Sequence, residues 1–283
     1  MLQRSPKRRS AEGQSGVSRG GSGEPTQPRG TRSALLCRVQ ALLAISGEER
    51  VALDGLERDG TPLLPQTKII NDGAPYGGIG IVKAGWLLRS KTLPDGRRQV
   101  INFVLPGDFI CLDALTFDCA YYDVCTVGHA VVSRRSVDEI EKLYAEYPRL
   151  AAIFKQFAVL EDAMMSERLL SVGRRTAIEA VSHLLLELWH RLKFVGLAGE
   201  SMFPMPLTQD VIADALGLCA VHVNRTLKLL QNGGLINFEH HKPRSIIVLD
   251  AQRLQRLAGF KSRYLQLKSI GVGQEPTPLQ ASN

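Results

Sequence analysis

The sequence predicts an α+β fold: an N-terminal antiparallel β-roll of jelly-roll type, then a long helix, then a C-terminal winged helix-turn-helix. Three observations predict it. From Gly60 to Ser133, short runs suited to strands alternate with turn signals. After Pro148, apolar residues recur at alternating spacings of three and four. From Thr208 to Leu230 the chain reads TQDVIADALGLCAVHVNRTLKLL, two short amphipathic helices about Gly217.

Residues 1–32 are rich in Gly, Ser, Pro, Gln and Arg and lack aromatics, so they cannot bury a core and are expected to be a disordered basic tail. The β-roll domain is assigned to 33–147. It opens with helical character from Leu35 to Leu56, broken near Ser46-Gly47. Lys68–Ile70, Ile79–Val82, Trp86–Ser90, Gln99–Val104 and Ala130–Ser133 are the strand candidates. Asn71-Asp72-Gly73, Gly77-Gly78, Asp95-Gly96 and Pro106-Gly107-Asp108 are the turns between them.

Ser136 and Glu139 form a capping-box signature that starts a helix. Pro148 suits the first turn of the next helix, because its missing N–H has no partner there in any case. That helix is assigned to 148–171, with a hinge at Ser171-Val172-Gly173. Leu150, Ile153, Phe157, Leu160 and Met164 form its seam and are expected at a dimer interface. The last domain is assigned to 172–270, and residues 271–283 are expected to fray. A helix over Arg174–Leu192 should turn Ala177, Val181, Leu184, Leu185, Leu188 and Trp189 inward. Leu235–Phe238 and Ser245–Leu249 should form a hairpin wing whose tip carries Lys242 and Arg244.

Composition limits the partners. The 283-residue chain carries net charge +7 with 44% apolar residues. Residues 1–32 hold seven basic side chains (Arg4, Lys7, Arg8, Arg9, Arg19, Arg29, Arg32) against two acids. Residues 218–268 hold nine Lys/Arg against only Glu239 and Asp250. The charge is therefore local and surrounds the helix-turn-helix, as contact with phosphate requires. No run of about 18 apolar residues exists, so no membrane-spanning helix is expected. Five cysteines without an apolar leader before Ser33 imply reduced thiols and a cytoplasmic location. No nucleophile elbow, P-loop or His-Glu-x-x-His is present, so an enzyme is not expected.

Within the helix-turn-helix, Ile212, Leu216, Leu218, Val223 and Leu227 should face inward, and Val221, His222, Arg225 and Lys228 outward. This is the pattern of a second helix that enters a major groove of double-stranded DNA.

Two phrases carry a family resemblance. One is Thr92-Leu-Pro-Asp-Gly-Arg-Arg-Gln-Val-Ile-Asn-Phe-Val-Leu-Pro-Gly-Asp108, and the other is Leu207 to Leu230. Together with the order of domains, they resemble the Crp/Fnr family of bacterial transcription regulators, leaning toward FixK-like members. The resemblance implies a cyclic-nucleotide-binding-like roll, a homodimer on a palindromic operator and recruitment of RNA polymerase. It places Thr208 as an N-cap and Gln209 and Cys219 near phosphates. Ala220, Val221 and Arg225 fall at base-reading positions, with His222 or Asn224 adding a base or phosphate contact. Well-known members have glutamate where this chain has Val221, so the operator should differ: valine can only touch a thymine methyl.

The resemblance also bears on the signal. Members that bind cyclic AMP carry a ribose-binding glutamate and an Arg-Ser or Arg-Thr pair. Here the matching stretches read Phe109-Ile-Cys-Leu-Asp-Ala-Leu115 and Ala120-Tyr-Tyr-Asp-Val-Cys-Thr126, without arginine. Cyclic AMP is therefore disfavoured. An iron–sulfur cluster is disfavoured too, because only Cys37 precedes the roll and the other thiols lack the clustered pattern. No cofactor or metal is expected. Cys219, at a helix N-terminus, is a candidate redox site. An alternative reading is a ligand-sensing module whose winged helix contacts protein instead of DNA.

Overall fold

The computed structural model describes residues 33–239 and 244–269. The basic tail, Lys242 at the wing tip and the expected frayed terminus lie outside the described residues.

Two helices open the fold, α1 (Ala34–Gln40) and α2 (Gly47–Leu56). Ser46 caps α2 through a reciprocal pair of bonds with Glu49, so the break falls at the expected Ser46-Gly47. Eight strands follow: β1 (Thr61–Leu63), β2 (Lys68–Ile70), β3 (Ile79–Ala84), β4 (Leu87–Thr92), β5 (Arg98–Val104), β6 (Phe109–Ile110), β7 (Asp123–Thr126) and β8 (Ala130–Arg135). They form two antiparallel sheets, ordered β1-β8-β3-β6 and β2-β7-β4-β5. Val82, Leu87, Val104, Ile110, Tyr122, Val124 and Val132 fill the space between the sheets. β1, β6 and β7 were not among the expected strands. β1 contains Pro62 and lies at a sheet edge, where a missing N–H is tolerated.

α3 (Val137–Glu146) starts at the expected capping box: the Ser136 N–H donates to Glu139 over 2.7 Å, and the Glu139 N–H to the Ser136 hydroxyl over 3.2 Å. α4 (Pro148–Gly173) carries proline at its start as expected. It runs unbroken through Ser171, so the chain breaks at Arg174–Thr176 and not at Ser171–Gly173.

The residues of the expected dimer seam pack within their own chain. Leu150, Ile153, Phe157, Leu160 and Met164 are all buried within their own chain. Leu150, Ile153 and Phe157 join Leu35, Val39, Ile79 and Phe109 in one core that also holds Phe154. Their apolar surface is largely removed from water inside one chain, so packing within the chain accounts for the spacing.

α5 (Ala177–Phe194) leads into β9 (Met202–Pro204), α6 (Gln209–Leu216), α7 (Ala220–Asn232), β10 (Ile236–Glu239), β11 (Ser245–Val248) and α8 (Ala251–Ala258). The wing is a three-stranded sheet, β10-β11-β9, with one more strand than expected. This last domain does not stand apart from the roll. Trp86, Leu88, Val100 and Phe103 share a core with Leu184, Leu188, Ile212 and Leu216. The Arg98 guanidinium donates twice to Asp214 of α6, at 2.8 and 2.6 Å. Gln99 donates to the Ala215 carbonyl at 3.2 Å.

Candidate nucleic-acid interface

The interface begins at Thr208, whose hydroxyl accepts the Val211 N–H at 3.3 Å and so starts α6. Gly217 ends α6 at φ 65°, the left-handed region that glycine enters at least cost. The Leu218 N–H then bonds the Ala213 carbonyl at 3.1 Å, closing the turn. Ala213 and Ala215 are buried where the helices cross. Ile212, Leu216, Val223, Leu227 and Leu230 are buried as well, and Leu218 is half-buried. This packing fixes α7 on α6.

The opposite face of α7 is open. Val221 is 70% exposed, and His222, Arg225 and Lys228 are exposed. None of His222, Arg225 and Lys228 belongs to an ion pair among the described residues, so their charge and donors stay available. Ala220 is half-buried. Asn224 is half-buried and its side-chain oxygen accepts from Gln209 at 3.3 Å, which ties the start of α6 to α7.

Cys219 is the exposed N-cap of α7, and its side chain makes no capping bond. The first-turn N–H groups of α7 therefore keep their capacity for an anion. Arg244, at the base of the wing, is exposed and sits 5.7 Å from the Phe238 ring centre. Thr208, Gln209, Cys219, Ala220, Val221, His222, Asn224, Arg225 and Lys228 all lie on these two helices, and the exposed ones include every cation among them.

Two features escaped the sequence reading. One is the Arg98–Asp214 pair: its partners lie 116 residues apart, and no local pattern marks either. The other is the outward face of α4. Val159 is 66% exposed, Leu169 73% and Leu170 45%. Gln156, Val159, Ala163, Ser166 and Leu170 recur at three- and four-residue spacing, forming a second seam rotated about 100° around the helix from the buried one. The Gln156 side-chain oxygen is buried without a partner among the described residues.

The roll interior is filled by its own side chains. The Tyr122 hydroxyl donates to Asp113 at 2.6 Å, and the Tyr76 hydroxyl donates to the other oxygen of Asp113. The Arg89 guanidinium lies 5.2 Å from the Tyr122 ring centre and pairs with Glu161 of α4 at 2.6 Å. The cavity left between the sheets measures about 10 Å³. Burial, helped by Asp113, pushes the Cys111 thiol up to about 12, so it is a neutral thiol at neutral pH. Burial also raises Cys125.

Such a reader, with its buried crossing and open basic face, belongs to the class of helix-turn-helix transcription regulators. Comparison with known proteins narrows the class. A Crp-like helix-turn-helix domain model matches residues 179–257, and a cyclic nucleotide-binding domain model matches 62–147. The nitrogen fixation regulation protein FixK of Bradyrhizobium diazoefficiens is 32% identical over 168 residues, 59% of this chain and 68% of that protein. FixK of Azorhizobium caulinodans is 30% identical over 206 residues, 70% of this chain and 79% of that one. The solved structure of FixK2 from Bradyrhizobium japonicum superposes with a TM-score of 0.62 at 28% identity, covering 70% of this chain and 96% of that one. The chain belongs to the Crp/Fnr family of transcription regulators. No helix among the described residues is long and apolar enough to cross a membrane.

Proposed function

We propose that the protein is a cytoplasmic, homodimeric regulator that binds a palindromic operator and recruits RNA polymerase, with a signal other than cyclic AMP. The observation that carries this reading is the open face of α7, where His222, Arg225 and Lys228 stand exposed and, among the described residues, free of ion pairs. Thr208, Gln209 and Arg244 flank that face and contact phosphate, as does Lys242. Two copies place one α7 each in successive major grooves, about 10–10.5 bp apart. The outward seam of α4, around Val159 and Leu170, joins the copies, because it is the apolar face its own chain leaves uncovered.

The filled roll supports a signal other than cyclic AMP. A cavity of about 10 Å³ is a single-water space, too small for a nucleotide. The high thiol pKa of Cys111 likewise argues against a thiolate-bound cluster. Cys219 is a redox site in this reading. Peroxide would oxidise its thiolate to a sulfenate with release of water, placing bulk against phosphate. Cys219→Ser should bind DNA with no peroxide sensitivity, whereas equal sensitivity in both proteins removes this role.

The test of the reading is operator affinity as a function of salt, using DNA selected from a random pool. A steep linear fall of log affinity with log salt is expected, since several phosphates are neutralised per copy. Binding that is absent, or indifferent to salt, would favour a protein-contact module.

A further inference from the structure

A cavity of about 310 Å³ lies where the parts of the molecule meet. Its walls come from α1 and the turn after it, the β5–β6 turn, α4, α5 and the segment 262–267. It is distinct from the space between the sheets of the roll. Leu42, Phe157, Leu160, Phe194 and Leu265 make it largely apolar, and one end carries Arg38, Arg191 and Asp108.

The charges at that end do not balance. Arg38 pairs with Asp108 and also donates to the Gly107 carbonyl at 2.8 Å. Arg191 donates to the other oxygen of Asp108 at 2.5 Å and lies 3.9 Å from Glu187. Glu187 is shared again, with Arg168 at 3.4 Å, and accepts the Tyr264 hydroxyl at 3.0 Å. Nearby Arg89 takes Glu161 for itself. Four guanidinium groups thus share three carboxylates, all four of them buried or nearly so. Nη1 of Arg168 is buried with no partner among the described residues. His183 adds no charge at neutral pH, because burial lowers its pKa to about 4. An uncompensated buried cation is costly, and an added anion would relieve it.

We propose that this cavity binds a small amphipathic monocarboxylate. Its carboxylate meets Arg38 and Arg191, and its apolar body lies against Phe157, Leu160 and Leu265. The volume suits the size: a 150 Å³ cavity holds benzene, so this one holds about a dozen heavy atoms. The charge suits the class, since one negative charge added to the three carboxylates balances the four guanidinium groups and a dianion would overshoot. The walls belong to the roll, the long helix and the reader together. A bound molecule therefore favours whichever arrangement of the three keeps the cavity closed around it. Its effect on DNA rests on the function proposed above, but binding itself does not.

The test titrates the full chain, without DNA, with decanoate as probe and 1-decanol as its uncharged analogue. One saturable decanoate per chain is expected, with decanol weaker by about tenfold or more, the worth of a charge-assisted hydrogen bond. Ala41→Trp places bulk at the mouth from an exposed position and should weaken decanoate by a similar factor with an unchanged melting temperature. Arg38→Gln should lose the preference for decanoate over decanol. Absence of saturable binding, equal binding of decanol, or full binding by Ala41→Trp overturns the proposal. Operator affinity measured with and without decanoate then reports the regulatory consequence, and a null result there leaves the titration standing.

Discussion

Arg225 and Val221 stand side by side on the open face of α7, and under the proposed function their chemistry would divide the reading of an operator. An exposed guanidinium, free of ion pairs among the described residues, can bond a guanine edge with two donors. Arg225→Ala should cost about 1–3 kcal/mol at one base pair per half-site, seen as lost discrimination among operators varied at that position. Unchanged discrimination would move the reading role elsewhere on the helix. His183 sets an acid limit. It is packed 5.0 Å from Phe260 and 5.9 Å from Tyr264, ring centre to ring centre. Burial first, then Arg175, lowers its pKa from 6.5 to about 4. Folded, it stays neutral, while the unfolded chain takes up a proton below 6.5. Stability is therefore full above about 6.5 and falls as pH drops toward 4, by roughly 3 kcal/mol at most. His183→Phe should flatten unfolding curves across that window, and an equal acid slope in both proteins would clear His183.

The long helix α4 shows what a sequence states and what it leaves open. The spacing of Leu150, Ile153, Phe157, Leu160 and Met164 reports an apolar face. It cannot report what covers that face, and α1, β3 and β6 of the same chain cover Leu150, Ile153 and Phe157. The second seam was harder to see, since Ala163 and Ser166 are small and Gln156 is polar. Val159→Glu with Leu170→Glu should give monomers by sedimentation and abolish operator binding, because a charge facing its own copy repels. A dimer that survives both changes would place the interface elsewhere. Strands follow the same lesson. Those with alternating or continuous apolar residues and firm turns, such as β3 and β5, are legible. The two-residue β6 and the polar-flanked β7 owe their place to neighbours. In the reader, Thr208, Gly217 and Val223 announced themselves because capping, left-handed turning and inward packing are local. The Gln209–Asn224 bond did not, since either side chain could have faced solvent.

At the scale of the described molecule, roll and reader share one core and are expected to unfold as one body. The core that holds Trp86 of the roll also holds Trp189 of α5. Chains keeping a single tryptophan, through Trp86→Phe or Trp189→Phe, should unfold at coincident midpoints in denaturant. Separate midpoints would show two independent units. The clasp of Arg98 on Asp214 also has a history in time. Trp86 and Phe103 leave the ribosome long before α5 and α6, which supply their cover. At about 5–20 residues per second, synthesis of the intervening stretch takes roughly 5–25 s. For that interval the newborn roll presents bare aromatic surface to its surroundings. The reader domain is thus also the cap that ends this exposure, and a chain stalled near Gly173 is left sticky.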